Sequence, residues 1–98
     1  MSQYRLSPAA QADLEDIWDY TADQWDIEQA ETYIRELQRT IERAAANPRI
    51  GRTCDDIRIG YRKLPAGSHI LFFRVADDDI IDVIRILHQR MDIESHLD

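Results

Sequence analysis

The sequence is short of several things that would make its function easy to read. Cysteine occurs once among 98 residues, at Cys54, which excludes an internal disulfide and any thiolate-rich zinc site and agrees with a reducing compartment. No redox or nucleophilic role is expected of it. The three glycines, Gly51, Gly60 and Gly67, form neither a phosphate-binding loop nor a dinucleotide fingerprint, and there is no nucleophile elbow. The longest apolar runs, residues 70–73 and 83–87 with Arg85 inside the second, fall far short of the roughly 20 residues a membrane span needs. The opening MSQYRLSPAA lacks the basic and then apolar order of a secretory signal, so a cytoplasmic protein with no membrane partner is expected. Lysine occurs once, at Lys63, and the net charge is −7. That sign disfavours a domain whose affinity comes from neutralising phosphates, and direct sequence-specific binding to nucleic acid is not expected.

What is present fits one domain over residues 1–98, since 44% hydrophobic residues suffice for a single packed core at this length. Charge is unevenly placed. Residues 1–48 carry four Arg against ten Asp and Glu, a net of −6, whereas residues 49–91 carry eight Lys and Arg against six Asp, a net of +2. The short alternating stretch Tyr4, Arg5, Leu6 reads as a strand, ended by Ser7 as a helix N-cap and Pro8 at the first helical position. Ala10, Leu14, Ile17, Trp18 and Thr21 then trace one helix face, with Trp18 expected in the core and the acids, Asp13 included, on a solvated face. That helix should end near Gln24 or Trp25. Asp26 and Gln29 have capping-box spacing and open a second helix whose face is Ala30, Ile34, Leu37, Ile41 and Ala44. Asn47-Pro48 stops it, and so short a link between the helices implies an antiparallel hairpin.

The second half changes period. Residues 48–60 read as a loop or weak edge strand. Three strands follow, at Tyr61 to Leu64, His69 to Val75 and Asp79 or Ile80 to His88, joined by PAGS and ADDD turns into an antiparallel meander. The middle strand, HILFFRV, is apolar on both parities, as expected of a central strand covered on at least one face and shielded on the other. The fold expected is α+β in the order β-α-α-β-β-β, a helical hairpin packed on one face of a small, mostly antiparallel sheet, with strand one beside the C-terminal strands in a four-stranded arrangement. The tail from Met91 to Leu97, with Asp92 as a possible cap, reads as one or two turns of amphipathic helix.

One constellation could carry chemistry. Arg62, Arg74 and Arg85 lie on three strands of such a sheet, and His88, Gln89 and Arg90 follow the end of the last. Gathered on one face, the arginines could hold an RNA phosphate while His88 serves as general acid or base. The alternative is that each arginine pairs with an acid such as Asp82 and that His88 merely ends a strand. Alternation puts Arg85 on a face with Ile81, Val83 and Leu87, either buried with a partner or left open. Asp77-Asp78-Asp79 reads as a solvated turn rather than a metal site, and His69, His88 and His96 lack metal-ligand spacing.

The stretches YRLSPAAQADLEDIWDYTADQW, ANPRIGR, GYRKLPAGSHILFFRV and DVIRILHQRMD together resemble the ParE-type toxins of type II toxin–antitoxin modules, within the RelE/ParE superfamily. The resemblance implies a non-catalytic toxin, without cofactor or metal, that inhibits DNA gyrase and is neutralised by a ParD-like antitoxin in a hetero-oligomer. It implies a flexible antitoxin segment covering the groove between hairpin and sheet, with Trp25, Tyr33, Arg62 and Arg74 as contact candidates. Trp25 could equally be core. For the target, Arg85, His88, Gln89, Arg90 and Met91 are the candidates. The superfamily's other branch, RelE-type ribosome-dependent mRNA endonucleases, would require Arg62, Arg85 and His88 to be catalytic. Against that stand the single lysine, the acidic charge and the absence of tyrosine after Tyr61, so the resemblance implies the poison before the nuclease.

Overall fold

A computed structural model of the chain describes residues 3–91, 93, 96 and 97. Strand β1 (Tyr4–Leu6) leads into helix α1 (Pro8–Gln24) and helix α2 (Ile27–Ala46), followed by a short 3-10 segment (Pro48–Ile50) and strands β2 (Arg52–Thr53), β3 (Tyr61–Ala66), β4 (His69–Val75) and β5 (Ile81–His88). Both helix starts follow from their caps. The Ser7 hydroxyl accepts the Ala10 N–H at 2.9 Å, and the Asp26 carboxylate accepts the Gln29 N–H at 2.7 Å, each satisfying a donor that the first helical turn leaves free. Only Trp25 and Asp26 separate the helices, so the chain reverses at once into a hairpin. α2 buries Ala30, Leu37, Ile41 and Ala44 of its apolar stripe.

The sheet has five strands in the order β1-β5-β4-β3-β2, one more than expected. The extra strand is β2, the weak-edge-strand alternative for residues 48–60, which pairs Arg52 with Lys63 and Thr53 with Arg62. β1 runs parallel to β5, while β3, β4 and β5 form an antiparallel meander. The first turn of that meander is shorter than PAGS. β3 continues through Pro65 and Ala66, leaving only Gly67 and Ser68 as the loop. Pro65 is tolerated because β2 pairs no further than Lys63, so Pro65 lies on an open edge that needs no N–H.

Both faces of β4 are covered, by different means. Leu71 and Phe73 join Ala10, Ile17, Leu37, Ile41, Ile81, Val83 and Ile86 beneath the hairpin. On the other face Phe72 and Leu87 pack with Cys54 and Leu97, flanked by Ile57, Ile70 and Ile84. The tail thus contributes a core residue, with the His96 and Leu97 N–H groups both donating to the Ile93 carbonyl. The proposed cap Asp92 lies outside the described residues. The alternation expected along β5 is interrupted by a bulge. Pairing passes from Phe72↔Arg85 to Phe73↔Val83, so Ile84 is an extra residue and the pattern inverts there. Arg85 therefore does not share a face with Ile81 and Val83; it pairs with Phe72 and keeps parity with Leu87. Trp18 also departs from expectation: it is half-buried outside the core cluster, because α1 rolls Ala10 and Ile17 inward in its place.

Candidate functional site

Among the described residues, the outer edge of β5 beyond Val83 has no strand to pair with, since β1 ends at Leu6. The start of α1 closes that edge instead. Ser7 donates its N–H to the Val83 carbonyl at 3.0 Å and its hydroxyl to the Ile84 carbonyl at 2.7 Å. The Asp13 carboxylate accepts the Ile86 N–H at 2.9 Å and also grips Arg85, taking Nε and Nη2 at 2.8 Å each. A planar guanidinium fork on one carboxylate is the strongest form of such a pair. Asp13 raises the Arg85 pKa against the opposing cost of burial, and the third arm of Arg85, Nη1, donates to the His96 carbonyl at 3.2 Å. Asp13, with a side chain only 12% exposed, is therefore not part of a solvated acidic face. Its place could have been read from the spacing, because residues 10, 13 and 17 fall on one helical stripe.

The arginines expected to converge are held apart. Arg62 donates to the Gly51 carbonyl at 2.8 Å. Arg74 pairs with Asp82 at 3.5 Å, the alternative considered for it, and Asp82 also receives Arg5. Arg5 reaches on to Asp78 in the ADDD turn. Arg85 is occupied by Asp13. In the β4–β5 ladder Arg74 stands opposite Asp82 at one end, while His69 stands opposite His88 at the other. His88 is thus not grouped with Arg62 and Arg74.

What surrounds His88 is aromatic. Its ring meets that of His69 edge to face at 5.3 Å, and the His69 ring lies 5.5 Å from Tyr33. The Tyr33 oxygen accepts the Ser68 N–H at 3.0 Å and lies 2.6 Å from His69 Nδ1. With one lone pair taken by the backbone, the tyrosine proton is free to bond His69 Nδ1, which leaves the histidine proton on Nε2. Burial, then the neighbouring His88, push the His69 pKa down from its ordinary value, with Asp13 opposing weakly. Burial likewise raises the Tyr33 pKa. The close approach depends on Gly67, where φ is +59° and a Cβ would lie 2.7 Å from the Tyr33 ring.

Around this group the hairpin junction and the sheet end enclose an open depression of about 240 Å³, lined by Tyr20, Thr21, Trp25, Gln29, Tyr33, Ser68, His69 and His88. Trp25, which the sequence left between core and contact, is 75% exposed. Two residues assigned to an antitoxin, Trp25 and Tyr33, therefore share a surface with His88, assigned to the target, while Gln89, Arg90 and Met91 follow it on exposed chain. Arg62 and Arg74 lie elsewhere. Sequence reasoning missed His69 and Tyr20, because only the β4–β5 pairing and the hairpin geometry bring them to this place. A second feature is an apolar groove beside β1. Leu6, Leu14 and Ile34 form its floor, Trp18, Glu15 and Asp19 line one end, and Tyr4, Gln38 and Ile41 the other, in adjoining depressions of about 290 and 200 Å³.

Residues 4–93 match the family described as ParE toxin of type II toxin–antitoxin system, parDE. The chain is 67% identical over 96 residues to Toxin ParE1 of Mycobacterium tuberculosis strain H37Rv, covering 98% of each protein. It is 47% identical over 97 residues to Toxin ParE1 of Caulobacter vibrioides, covering 99% of each. Among solved structures, a chain of the chromosomal ParDE system from P. aeruginosa superposes with a TM-score of 0.77 at 21% identity, covering 90% of this chain and 96% of that one. A chain of the RelBE2 toxin–antitoxin complex from Mycobacterium tuberculosis superposes at 0.61 and 18% identity, covering 90% and 98%. At such identities these two likenesses speak for the fold alone, whereas the family match and the close relatives span nearly the whole sequence. The chain belongs to the ParE toxin family of type II toxin–antitoxin systems.

Proposed function

We propose that this toxin inhibits DNA gyrase by binding it rather than by cutting nucleic acid, and that a ParD-like antitoxin neutralises it by occupying its exposed apolar surfaces. The observation that carries the choice against a nuclease is the separate engagement of Arg62, Arg74 and Arg85 by Gly51, Asp82 and Asp13. A phosphoryl-transfer site needs cations aimed at one developing charge, and arginines committed to other partners would have to be released first. The exposed strand end at His88, Gln89, Arg90 and Met91 is the surface offered to the target. For the antitoxin, the groove over Leu6, Leu14 and Ile34 has the shape and apolarity to take one face of an amphipathic helix. Its acidic margin at Glu15 and Asp19 favours a partner with basic flanks.

The test is a gyrase supercoiling and DNA-cleavage assay run beside a ribosome-dependent mRNA cleavage assay, with wild type and the Arg90→Ala, Met91→Ala double variant. Wild type is expected to block supercoiling or trap cleaved DNA while leaving mRNA intact. The double variant, altered only at exposed positions, is expected to lose most of this effect, and added antitoxin to reverse the wild-type effect. Cut mRNA with untouched gyrase would overturn the reading.

A further inference from the structure

We propose that the depression at the α1–α2 junction is a seat for a cationic side chain, arginine in the first place, carried on an extended segment of a protein partner. Three independent features point to that chemistry. The first is a pair of aromatic rings left in solvent: Trp25 is 75% and Tyr20 68% exposed, and both line the same depression. Indole and phenol faces are electron-rich and attract a guanidinium, which can also stack on them as an ammonium cannot.

The second feature is the absence of a competing charge within the lining. Among the described residues it holds no carboxylate, lysine or arginine, and His69 stands half-buried with Tyr33 at its Nδ1, in a setting that favours the neutral ring. An incoming cation meets neither a fixed positive charge nor a partner that would pull it off the rings. The third feature is the surrounding field. Between Arg5 and Arg35 there is no lysine or arginine, but there are eight acids. Asp13 is neutralised by Arg85, and Glu31 faces Arg35 at 4.0 Å. Glu15, Asp16, Asp19, Asp23, Asp26 and Glu28 have no ion-pair partner among the described residues. Such a field draws in a basic segment and repels a phosphate-bearing one, so nucleic acid does not suit this surface. The volume of about 240 Å³ admits one long side chain, which makes an extended segment a better occupant than a folded surface.

The inference deepens the antitoxin reading, because it names the side chain that would cover Trp25 and Tyr33. Its test does not require the antitoxin. The ¹⁵N-labelled toxin is titrated with acetyl-Ala-Arg-Ala-amide and with the citrulline analogue, which keeps the shape and loses the charge. The arginine peptide is expected to shift the Trp25 indole N–H and the amides of Ser68, His69 and His88, and to bind about tenfold more tightly than the citrulline peptide, the equivalent of about 1.4 kcal/mol. Raising the salt should weaken it. Trp25→Ala, a change at an exposed position, should abolish the response at His69 in a spectrum that stays folded. Equal binding of the two peptides, shifts confined to other surfaces, or no shift at all would overturn the proposal. If the peptide binds as expected but a ParD-like antitoxin holds Trp25→Ala as tightly as wild type, the seat stands and its assignment to the antitoxin falls.

Discussion

Asp13 concentrates more of the structure on one carboxylate than any other acid of α1. It closes the open edge of β5 by accepting the Ile86 N–H, fixes Arg85 with two further bonds, and through Arg85 reaches the tail carbonyl of His96. A carboxylate offers about four acceptor sites and no donor, so it can serve all three N–H groups at once. The amide of asparagine has one acceptor oxygen and would present an NH2 group to another donor. Asp13→Asn is therefore expected to cost about 1.5–3 kcal/mol, the range for hydrogen bonds to charged groups, in urea unfolding. The sharper readout is hydrogen exchange: the Ile86 and Leu97 amides should lose protection well before the amides in the centre of α2. If both keep their protection, the carboxylate is not what holds the strand edge and the tail.

At the scale of elements, the two-residue loop between β3 and β4 controls the aromatic group at the sheet end. Gly67 sits at φ +59°, where a side chain is strained, and a Cβ there would press on the Tyr33 ring and hydroxyl at 2.7 and 2.8 Å. Alanine would meet both penalties, one intrinsic to the backbone and one from displacing Tyr33. Gly67→Ala is expected to destabilise the fold by about 1–3 kcal/mol. It should also free His69 Nδ1 from the tyrosine and open the ring to water, so the His69 pKa, held down chiefly by burial, should move back toward its ordinary value. An NMR titration of the histidine ring checks this, and an unchanged His69 titration would mean the loop and the aromatic group are independent. The bulge at Ile84 is the other element-level device. It lets one strand give Ile81 and Val83 to the hairpin core, and Ile84 and Leu87 to the opposite cluster.

For the whole molecule, that opposite cluster is what makes a 98-residue chain bury both faces of its sheet. The hairpin covers one side. The other is covered by little more than the turn after β2 and the tail, with Leu97 at 2% exposure and Cys54 at 1% in the same cluster. Arg58 and Arg85 bind the Leu97 and His96 carbonyls and hold the tail in place. Leu97→Ala should cost about 2–4 kcal/mol, as for other buried leucines. Loss of the cover should also expose Cys54 locally. Its thiol, whose pKa burial pushes up, is expected to react with a thiol reagent many times faster than in wild type under conditions where the hairpin core remains folded. A rate that rises only with global unfolding would mean the two clusters form a single cooperative unit.

Local and periodic features were legible in the sequence because they depend on near neighbours. Ser7, Pro8, Asp26 and the Asn47-Pro48 stop set the helix ends through capping and ring geometry, and the three- and four-residue spacing of α2 gave its buried face. The apolarity of HILFFRV on both parities announced a central strand covered on at least one face and shielded on the other. The same order of elements, with residues spread over nearly the whole chain, carried the resemblance to ParE toxins. The tertiary structure decided whatever depends on residues far apart in sequence meeting. It set the bulge that changes the face of Arg85, made Asp13 a buried partner instead of a solvated acid, and put Trp18 at a groove and not in the core. It also brought Tyr20, Trp25, Tyr33, His69 and His88 from two helices, the link between them and two strands to one depression. Composition and period fix which side of an element is apolar; which element that side meets, and where a charge finds its counter-charge, is settled only when the chain packs.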